Sequence, residues 1–195
     1  MPSSGSTRNP RDRPGPVRLF IVLAGEDHPK ACTGRRLLHR GLARRVSRIE
    51  GIVPPPVVLD PYASEPLAAA DRKAVVQGGI LAVDCSWNRL THRGRFPGTG
   101  ADDRDRGLRR RLPFLIATNP QHYGRPAQLN TVEALAAALY LVGRAEDAAR
   151  ILRGFRGSDA FLPVNRERLD AYARARDAAA VLAVERRLFG GDPAG

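Results

Sequence analysis

The sequence predicts an α/β fold, with a parallel-sheet half followed by a mostly helical half. Two runs, Val17 to Ala24 and Ile80 to Val83, are apolar apart from Arg18, as expected for strands that are covered on both faces. Segments with helical periodicity separate the apolar runs, and this alternation is typical of a parallel sheet. Beyond Asn130 the remaining patterns are helical.

The first half contains a predicted strand over 17–24, a helix over 34–45, a strand over 57–59, a helix over 71–77 and a strand over 80–83. Thr33 precedes the first helix and is expected to be its N-cap. Pro54–Pro56 delay the second strand until Val57, because proline cannot donate to a sheet ladder. Asp71 is expected to cap the second helix, and Gly78–Gly79 to end it.

The second half begins after a long segment without periodicity. Thr91 to Arg111 is rich in glycine and arginine, and we expect a mobile, exposed loop there. A short strand over 113–117 follows, and then helices over 131–142, 145–153, 166–175 and 177–188. The predicted organisation is a flexible basic tail over 1–16, an α/β half over 17–111, a helical half over 112–189 and a flexible tail over 190–195.

Composition indicates a polyanionic partner. The 195 residues include 32 Lys and Arg against 20 Asp and Glu, which gives a formal net charge of +12. Such an excess favours RNA or DNA as the partner. The alternative is a coding bias toward arginine, since Lys30 and Lys73 are the only lysines.

Several classes of protein are not expected. No apolar run approaches the ~20 residues of a membrane span, and the first residues lack the apolar segment of a secretory signal. With only Cys32 and Cys85 present, reduced thiols and a cytoplasmic location are expected. The histidines are scattered without metal-ligand spacing, so no metal is expected.

Polar segments follow the predicted strands at the edge where α/β sheets bind ligands. They are residues 27–34 (DHPKACTG), 84–87 (DCSW), 119–126 (NPQHYGRP) and 130–134 (NTVEA). No phosphate-binding glycine loop or nucleophile elbow is present to suggest a reaction.

These segments resemble the aminocarboxypropyltransferases of small-subunit ribosomal RNA, which transfer a 3-amino-3-carboxypropyl group from S-adenosylmethionine (SAM) to a pseudouridine-type base. The matching motifs are D-x-P-K-x-C-T-G at 27–34, V-L-D-P at 58–61, V-D-C-S-W at 83–87, R-L-P-F-L at 111–115, N-P-x-x-Y-G at 119–124, Glu133-Ala134, A-F-L-x-x-N at 160–165 and Tyr172. The resemblance extends over about residues 17–172. It departs from the family pattern at 67–71, at 121–122 and at 157–159.

The resemblance implies a donor site shared by both halves. By position, the residues that bind SAM are Thr33, Val83, Trp87, Leu112, Ala127 and Thr131. The indole of Trp87 suits an apolar wall and a cation–π partner for the sulfonium, although core packing is its alternative. Thr33 and Thr131 could equally be helix N-caps.

Asp84 is the candidate catalytic residue. It follows a strand and precedes Trp87, so its carboxylate can accept the N3 proton of the acceptor base or orient that base. The alternative is an Asp that caps a short helix starting near Ser86.

The resemblance also implies contact with small-subunit rRNA or a pre-ribosomal particle, and a deep trefoil knot like that of knotted RNA methyltransferases. Two arginine clusters flank the expected pocket, and they favour phosphate contacts. The predicted RNA-binding residues are Arg35, Arg36, Arg40, Arg109, Arg110 and Arg111. A SAM-dependent RNA methyltransferase and a non-catalytic assembly factor are the alternative functions.

Overall fold

One parallel sheet organises the fold. The computed structural model describes residues 15–23, 32–49, 51–84 and 107–190. The strands in this part of the chain are β1 (Leu19–Leu23), β2 (Arg44–Arg45), β3 (Val57–Leu59), β4 (Ile80–Asp84) and β5 (Arg109–Arg110). They form a five-stranded sheet in the order β2-β1-β4-β3-β5, and every pairing is parallel. The predicted α/β class is therefore confirmed.

The helices of the described residues are α1 (Thr33–His39), α2 (Arg72–Gly78), α3 (Thr131–Leu141), α4 (Ala145–Leu152), α5 (Phe161–Arg174) and α6 (Ala178–Phe189). Helix α3 is the centre of the helical half, because it contacts α1, α4, α5 and β4. Most of its residues are buried, and Ala136, Ala137 and Ala138 are completely so. A helix that is apolar on all sides is stable only when it is surrounded in this way. None of the described helices is long and apolar enough to cross a membrane.

The predicted strands at 57–59 and 80–83 are confirmed, and β4 continues to Asp84. The first helix is shorter than predicted. It ends at His39, Gly41 adopts a positive φ of 66°, and Arg44–Arg45 form an edge strand beside β1.

Of the two predicted helix caps, Thr33 is wrong and Asp71 is right in position only. The N-cap of α1 is Cys32, whose sulfur accepts a hydrogen bond from the Arg35 amide at 3.3 Å, so Thr33 is already helical. Asp71 makes no side-chain cap bond to α2; it accepts hydrogen bonds from the Ala68 amide and from Arg110.

The predicted strand at 113–117 was also wrong, although the segment is well bonded. Its amides are satisfied by side chains from helices: Phe114 donates to Glu185 at 3.0 Å, Ile116 to Asn165 at 2.7 Å, and Thr118 just beyond donates to Glu133 at 2.8 Å. Because three helices supply these acceptors, the backbone needs no neighbouring strand.

The last four helices are close to prediction, except that α5 begins at Phe161 rather than near 166. Pro163 lies in the first turn of α5, where a missing amide is tolerated. The loop predicted over 91–111 ends earlier than expected, since Arg109–Arg110 form β5. Residues 91–106, the tails at 1–14 and 191–195, and Trp87 lie outside the described residues. The knot stays a prediction.

Candidate active site at the sheet switch point

The sheet order creates a topological switch point at the carboxyl ends of β1 and β4. From β1 the chain proceeds to β2 on one side, whereas from β4 it proceeds to β5 on the other. Open α/β sheets bind ligands where adjacent strands diverge in this way. Leu23 and Asp84 form the last pair of the β1–β4 ladder, so the expected crevice lies beside them.

Asp84 is the centre of this site. Its side chain is buried, with only 7% of the residue exposed. One carboxylate oxygen accepts a hydrogen bond from the Thr131 hydroxyl, and the other accepts one from the Cys32 thiol. Asp84 therefore connects β4 to the beginnings of α1 and α3.

Gly34 permits this close approach. A Cβ at position 34 would lie 2.6 Å from the carboxylate carbon of Asp84, a distance that real Cβ atoms do not adopt. The glycine of the C-T-G motif is thus needed so that α1 can pack directly on the carboxylate.

The start of α3 has its own cap. Asn130 is the N-cap and accepts a hydrogen bond from the Glu133 amide at 2.9 Å, while Glu133 accepts one from the Asn130 amide at 3.0 Å. This reciprocal pair is a capping box. The N-cap alternative for Thr131 is therefore wrong, and its hydroxyl is directed to Asp84 instead.

Glu133 also holds the loop that leads into α3. The carboxylate is fully buried. It accepts hydrogen bonds from the amide and hydroxyl of Thr118, each at 2.8 Å, and from the Asn119 side chain at 2.7 Å. Both ends of the segment between Thr118 and Asn130 are therefore fixed to one side chain.

Ala127 lies within this segment and is strained. Its φ of 60° is the one positive value for a non-glycine residue in the described ranges. Such a conformation costs of order 1–3 kcal/mol and tends to occur at functional sites. Its amide donates to the Leu115 carbonyl at 2.9 Å, which holds the residue in place.

The remaining predicted donor-site residues are half-buried. Val83 directly precedes Asp84 in β4, and Thr33 lies between Cys32 and Gly34, which both contact Asp84. Leu112 follows β5 and packs against the core. The structure thus brings Thr33, Val83 and Thr131 together around Asp84. No metal-binding group of His, Cys, Asp or Glu is present within the described ranges.

The predicted RNA-binding arginines of α1 lie on one exposed surface. Arg36 and Arg40 lie over the ring of Phe155, with guanidinium carbons 4.8 and 5.0 Å from the ring centroid. They donate to the carbonyls of Gly154 and Arg153. With Arg35 they line a cavity of about 550 Å³ that reaches Leu23, at the end of β1.

The predicted RNA-binding arginines at 109–111 form ion pairs within the protein, whereas free side chains in a loop were expected. Arg109 pairs with Asp60 at 2.9 Å, Arg110 with Asp71 at 3.0 Å and Arg111 with Glu185 at 2.6 Å. The exposed fractions of these three arginine side chains are 30%, 16% and 19%. Their contact with RNA stays a prediction, and it would compete with these ion pairs.

Comparisons with known proteins assign the chain to a family. Residues 57–189 match the family model described as "Ribosome biogenesis protein, C-terminal". A 16S rRNA aminocarboxypropyltransferase of Methanopyrus kandleri is 46% identical over 168 residues, which cover 86% of this chain and 95% of that protein. The corresponding protein of Halobacterium salinarum is 39% identical over 169 residues, which cover 87% of this chain and 94% of that protein.

The fold is also similar to a solved structure. That structure is the SAM-dependent rRNA:acp-transferase Tsr3 from Vulcanisaeta distributa, with a TM-score of 0.77 and 36% identity. The alignment covers 91% of each chain.

The fold and the comparisons first define a class, the ribosome biogenesis proteins, here with a parallel α/β scaffold. Within that class, the chain belongs to the family of SAM-dependent rRNA aminocarboxypropyltransferases. The family, the enzyme class and the donor SAM that the motifs predicted are thereby confirmed.

Proposed function

We propose that this chain transfers the 3-amino-3-carboxypropyl group of SAM to N3 of a pseudouridine, N1-methylpseudouridine or uridine in small-subunit rRNA. The observation that carries the proposal is the position of Asp84 at the switch point, joined to α3 by Thr131. The similarity of nearly the whole chain to 16S rRNA aminocarboxypropyltransferases supports it. We place this step of ribosome biogenesis in the cytoplasm, where the thiol of Cys32 would remain reduced.

Thr33, Val83, Leu112, Ala127 and Thr131 are the proposed donor-binding residues, together with Trp87. The left-handed backbone of Ala127 and its bond to Leu115 fit a preorganised backbone contact. The N-terminus of α3, an eleven-residue helix, favours a nearby carboxylate such as that of the transferred group.

Bound SAM supplies a carbon activated by the sulfonium; N3 forms a bond to this carbon while the carbon–sulfur bond breaks and its electron pair goes to sulfur. Asp84 accepts the N3 proton. The hydroxyl of Thr131 and the thiol of Cys32 orient its two oxygens, so the carboxylate cannot rotate away from the crevice. Proper orientation of this kind is a large part of what an enzyme contributes to such a displacement.

Arg35, Arg36 and Arg40 are the proposed phosphate contacts beside the crevice. Their guanidinium groups are exposed, and Phe155 fixes two of them by stacking. A target base must be unstacked to reach a pocket, and phosphate contacts hold the strand while this occurs.

The decisive experiment uses two labelled forms of SAM with 16S rRNA from cells lacking the gene. One form carries the label in the carboxypropyl group and the other in the methyl group. We expect label in rRNA only from the first form, with 5′-methylthioadenosine as the by-product. Transfer of the methyl label with S-adenosylhomocysteine would instead identify a methyltransferase. RNA binding without any transfer would identify an assembly factor.

A further inference from the structure

A second, larger basic cavity lies on the other side of edge strand β2. We propose that it binds the sugar–phosphate backbone of the substrate RNA, at a distance from the reacting base. The inference rests on the proposed function, because the RNA considered is the small-subunit rRNA that the enzyme modifies.

The cavity has a volume of about 940 Å³ and is bounded by the N-terminal part of β1, by β2 and the segment after it, and by α4. Arginines dominate its polar lining: Arg18, Arg44, Arg45, Arg48 and Arg150. Leu23 and Asp84 pair at the opposite end of the β1–β4 ladder, so this cavity is separate from the donor crevice.

Most of the positive charge of the cavity is not matched by carboxylates. Asp147 is the single acidic residue among the described lining residues, and it already pairs with Arg144 at 2.5 Å and with Arg150 at 2.7 Å. Arg44 and Arg48 are exposed and have no ion pair within the described ranges. Several guanidinium groups around one concavity, without matching carboxylates, suit a chain of phosphates.

The two cavities share one lining residue. Arg45 lines both the large cavity and the smaller one that contains Arg35, Arg36 and Arg40. Arg44 lines only the large one, in keeping with the opposite directions of consecutive side chains in a strand. An RNA backbone that crosses β2 would therefore contact the large cavity and then the small cavity, which lies beside the end of β1.

Charged side chains on an edge strand have another use, since they prevent the strand from pairing with a second molecule. That explanation covers Arg44 and Arg45 but not Arg48, which follows β2 and lines the same cavity. RNA binding accounts for all three.

The test compares the double variant Arg44→Gln/Arg48→Gln with the matched control Arg166→Gln/Arg187→Gln. The control removes the same charge from exposed positions of α5 and α6. The probe is a labelled in-vitro transcript of 16S rRNA, and its dissociation constant is measured between about 50 and about 200 mM monovalent salt. Affinity for SAM is measured in parallel.

We expect the Arg44→Gln/Arg48→Gln variant to reduce the log–log salt slope by about 1.4 to 1.8, which corresponds to two lost phosphate contacts. The control should retain the wild-type slope, and both variants should retain wild-type affinity for SAM. An unchanged slope in the cavity variant overturns the proposal, even if the variant no longer binds small-subunit particles, because that pattern would assign the cavity to a protein partner. An equal reduction in the control also overturns it. The salt slope of RNA binding can be measured even if the wild-type protein transfers no carboxypropyl group. Failure of this proposal is therefore distinguishable from failure of the proposed function.

Discussion

At the scale of single residues, Asp84 combines two roles that can be separated. Its oxygens accept hydrogen bonds from Thr131 and Cys32, and in the proposed function its charge acts on the acceptor base. We expect Asp84→Asn to reduce single-turnover transfer by ~10²–10⁴-fold, the range of general-base assistance, with far less change in SAM affinity. A wild-type rate would show that the N3 proton goes to water. A parallel loss of rate and SAM affinity would make Asp84 a donor-binding residue.

The sulfur of Cys32 makes two hydrogen bonds at the beginning of α1. Its thiol donates to Asp84 and its sulfur accepts from the Arg35 amide, so it is both a cap and a positioning residue. We expect Cys32→Ala to lower the free energy of unfolding by about 0.5–2 kcal/mol, as loss of an N-cap does. Cys32→Ser keeps a donor and an acceptor and should remain near the wild-type value. Urea denaturation measures both, and equal stability of Ala and Ser variants would contradict the capping role.

The sequence located Asp84 and Thr131 but not their connection. Polar residues after strand ends are a recognisable signal, whereas cysteine is an uncommon N-cap and Thr33 beside it is a better one by residue type. Which of two neighbouring residues caps a helix depends on backbone angles that the side-chain pattern does not reveal.

At the scale of elements, the segment 113–118 shows why periodicity alone fails. Its apolar residues resemble a strand, yet Asn165 both accepts from the Ile116 amide and donates to its carbonyl, as a neighbouring strand would. Tyr172 donates to the Phe114 carbonyl, and burial raises the pKa of its phenol, so the donor stays protonated. Partners so distant in sequence leave no local signal, although Asn165 and Tyr172 were part of the motif pattern.

Glu133 joins α3 to the segment that contains Ala127, one of the proposed donor-binding residues. Glu133→Gln replaces one acceptor oxygen with an amide group, which leaves buried donors of Thr118 or Asn119 without a partner. We expect the free energy of unfolding to fall by about 1–3 kcal/mol. The affinity for SAM should fall as well, because the segment that holds Ala127 loses part of its anchoring to this side chain.

The control for this prediction is Glu167→Gln, at an exposed position of α5. Chemical denaturation and calorimetry with SAM should give wild-type values for it. If Glu133→Gln destabilises the fold while SAM affinity is unchanged, Ala127 does not contact the donor.

The ion pair between Arg111 and Glu185 links the residue after β5 to α6. Because Glu185 is almost fully buried and also accepts from the Phe114 amide, Glu185→Gln should destabilise the protein by several kcal/mol. The same variant tests the RNA role predicted for Arg111. It leaves the arginine in place, so a lower RNA salt slope in Arg111→Gln but not in Glu185→Gln would assign that guanidinium to a phosphate.

At the scale of the whole molecule, the sequence predicted the parallel sheet and the helical half but not the strand order. Strand patterns identify β1, β3 and β4 by their buried apolar residues. The two-residue strands β2 and β5 consist only of arginines, and they are held in the sheet by backbone pairing rather than by burial. The switch point between β1 and β4 depends on this order, so its position could be inferred from sequence only through the motifs.

The proposed donor site is built from both halves of the chain, and this gives a last prediction. Asp84 belongs to the sheet half, whereas Thr131 and Ala127 belong to the helical half. A donor that contacts both should stabilise them together, because a ligand that binds only the folded state raises its stability by mass action. At a SAM concentration about 100 times its dissociation constant, the free energy of unfolding should rise by about 2.7 kcal/mol in one cooperative transition. Two thermal transitions, only one of which shifts with SAM, would instead show that a single half binds the donor.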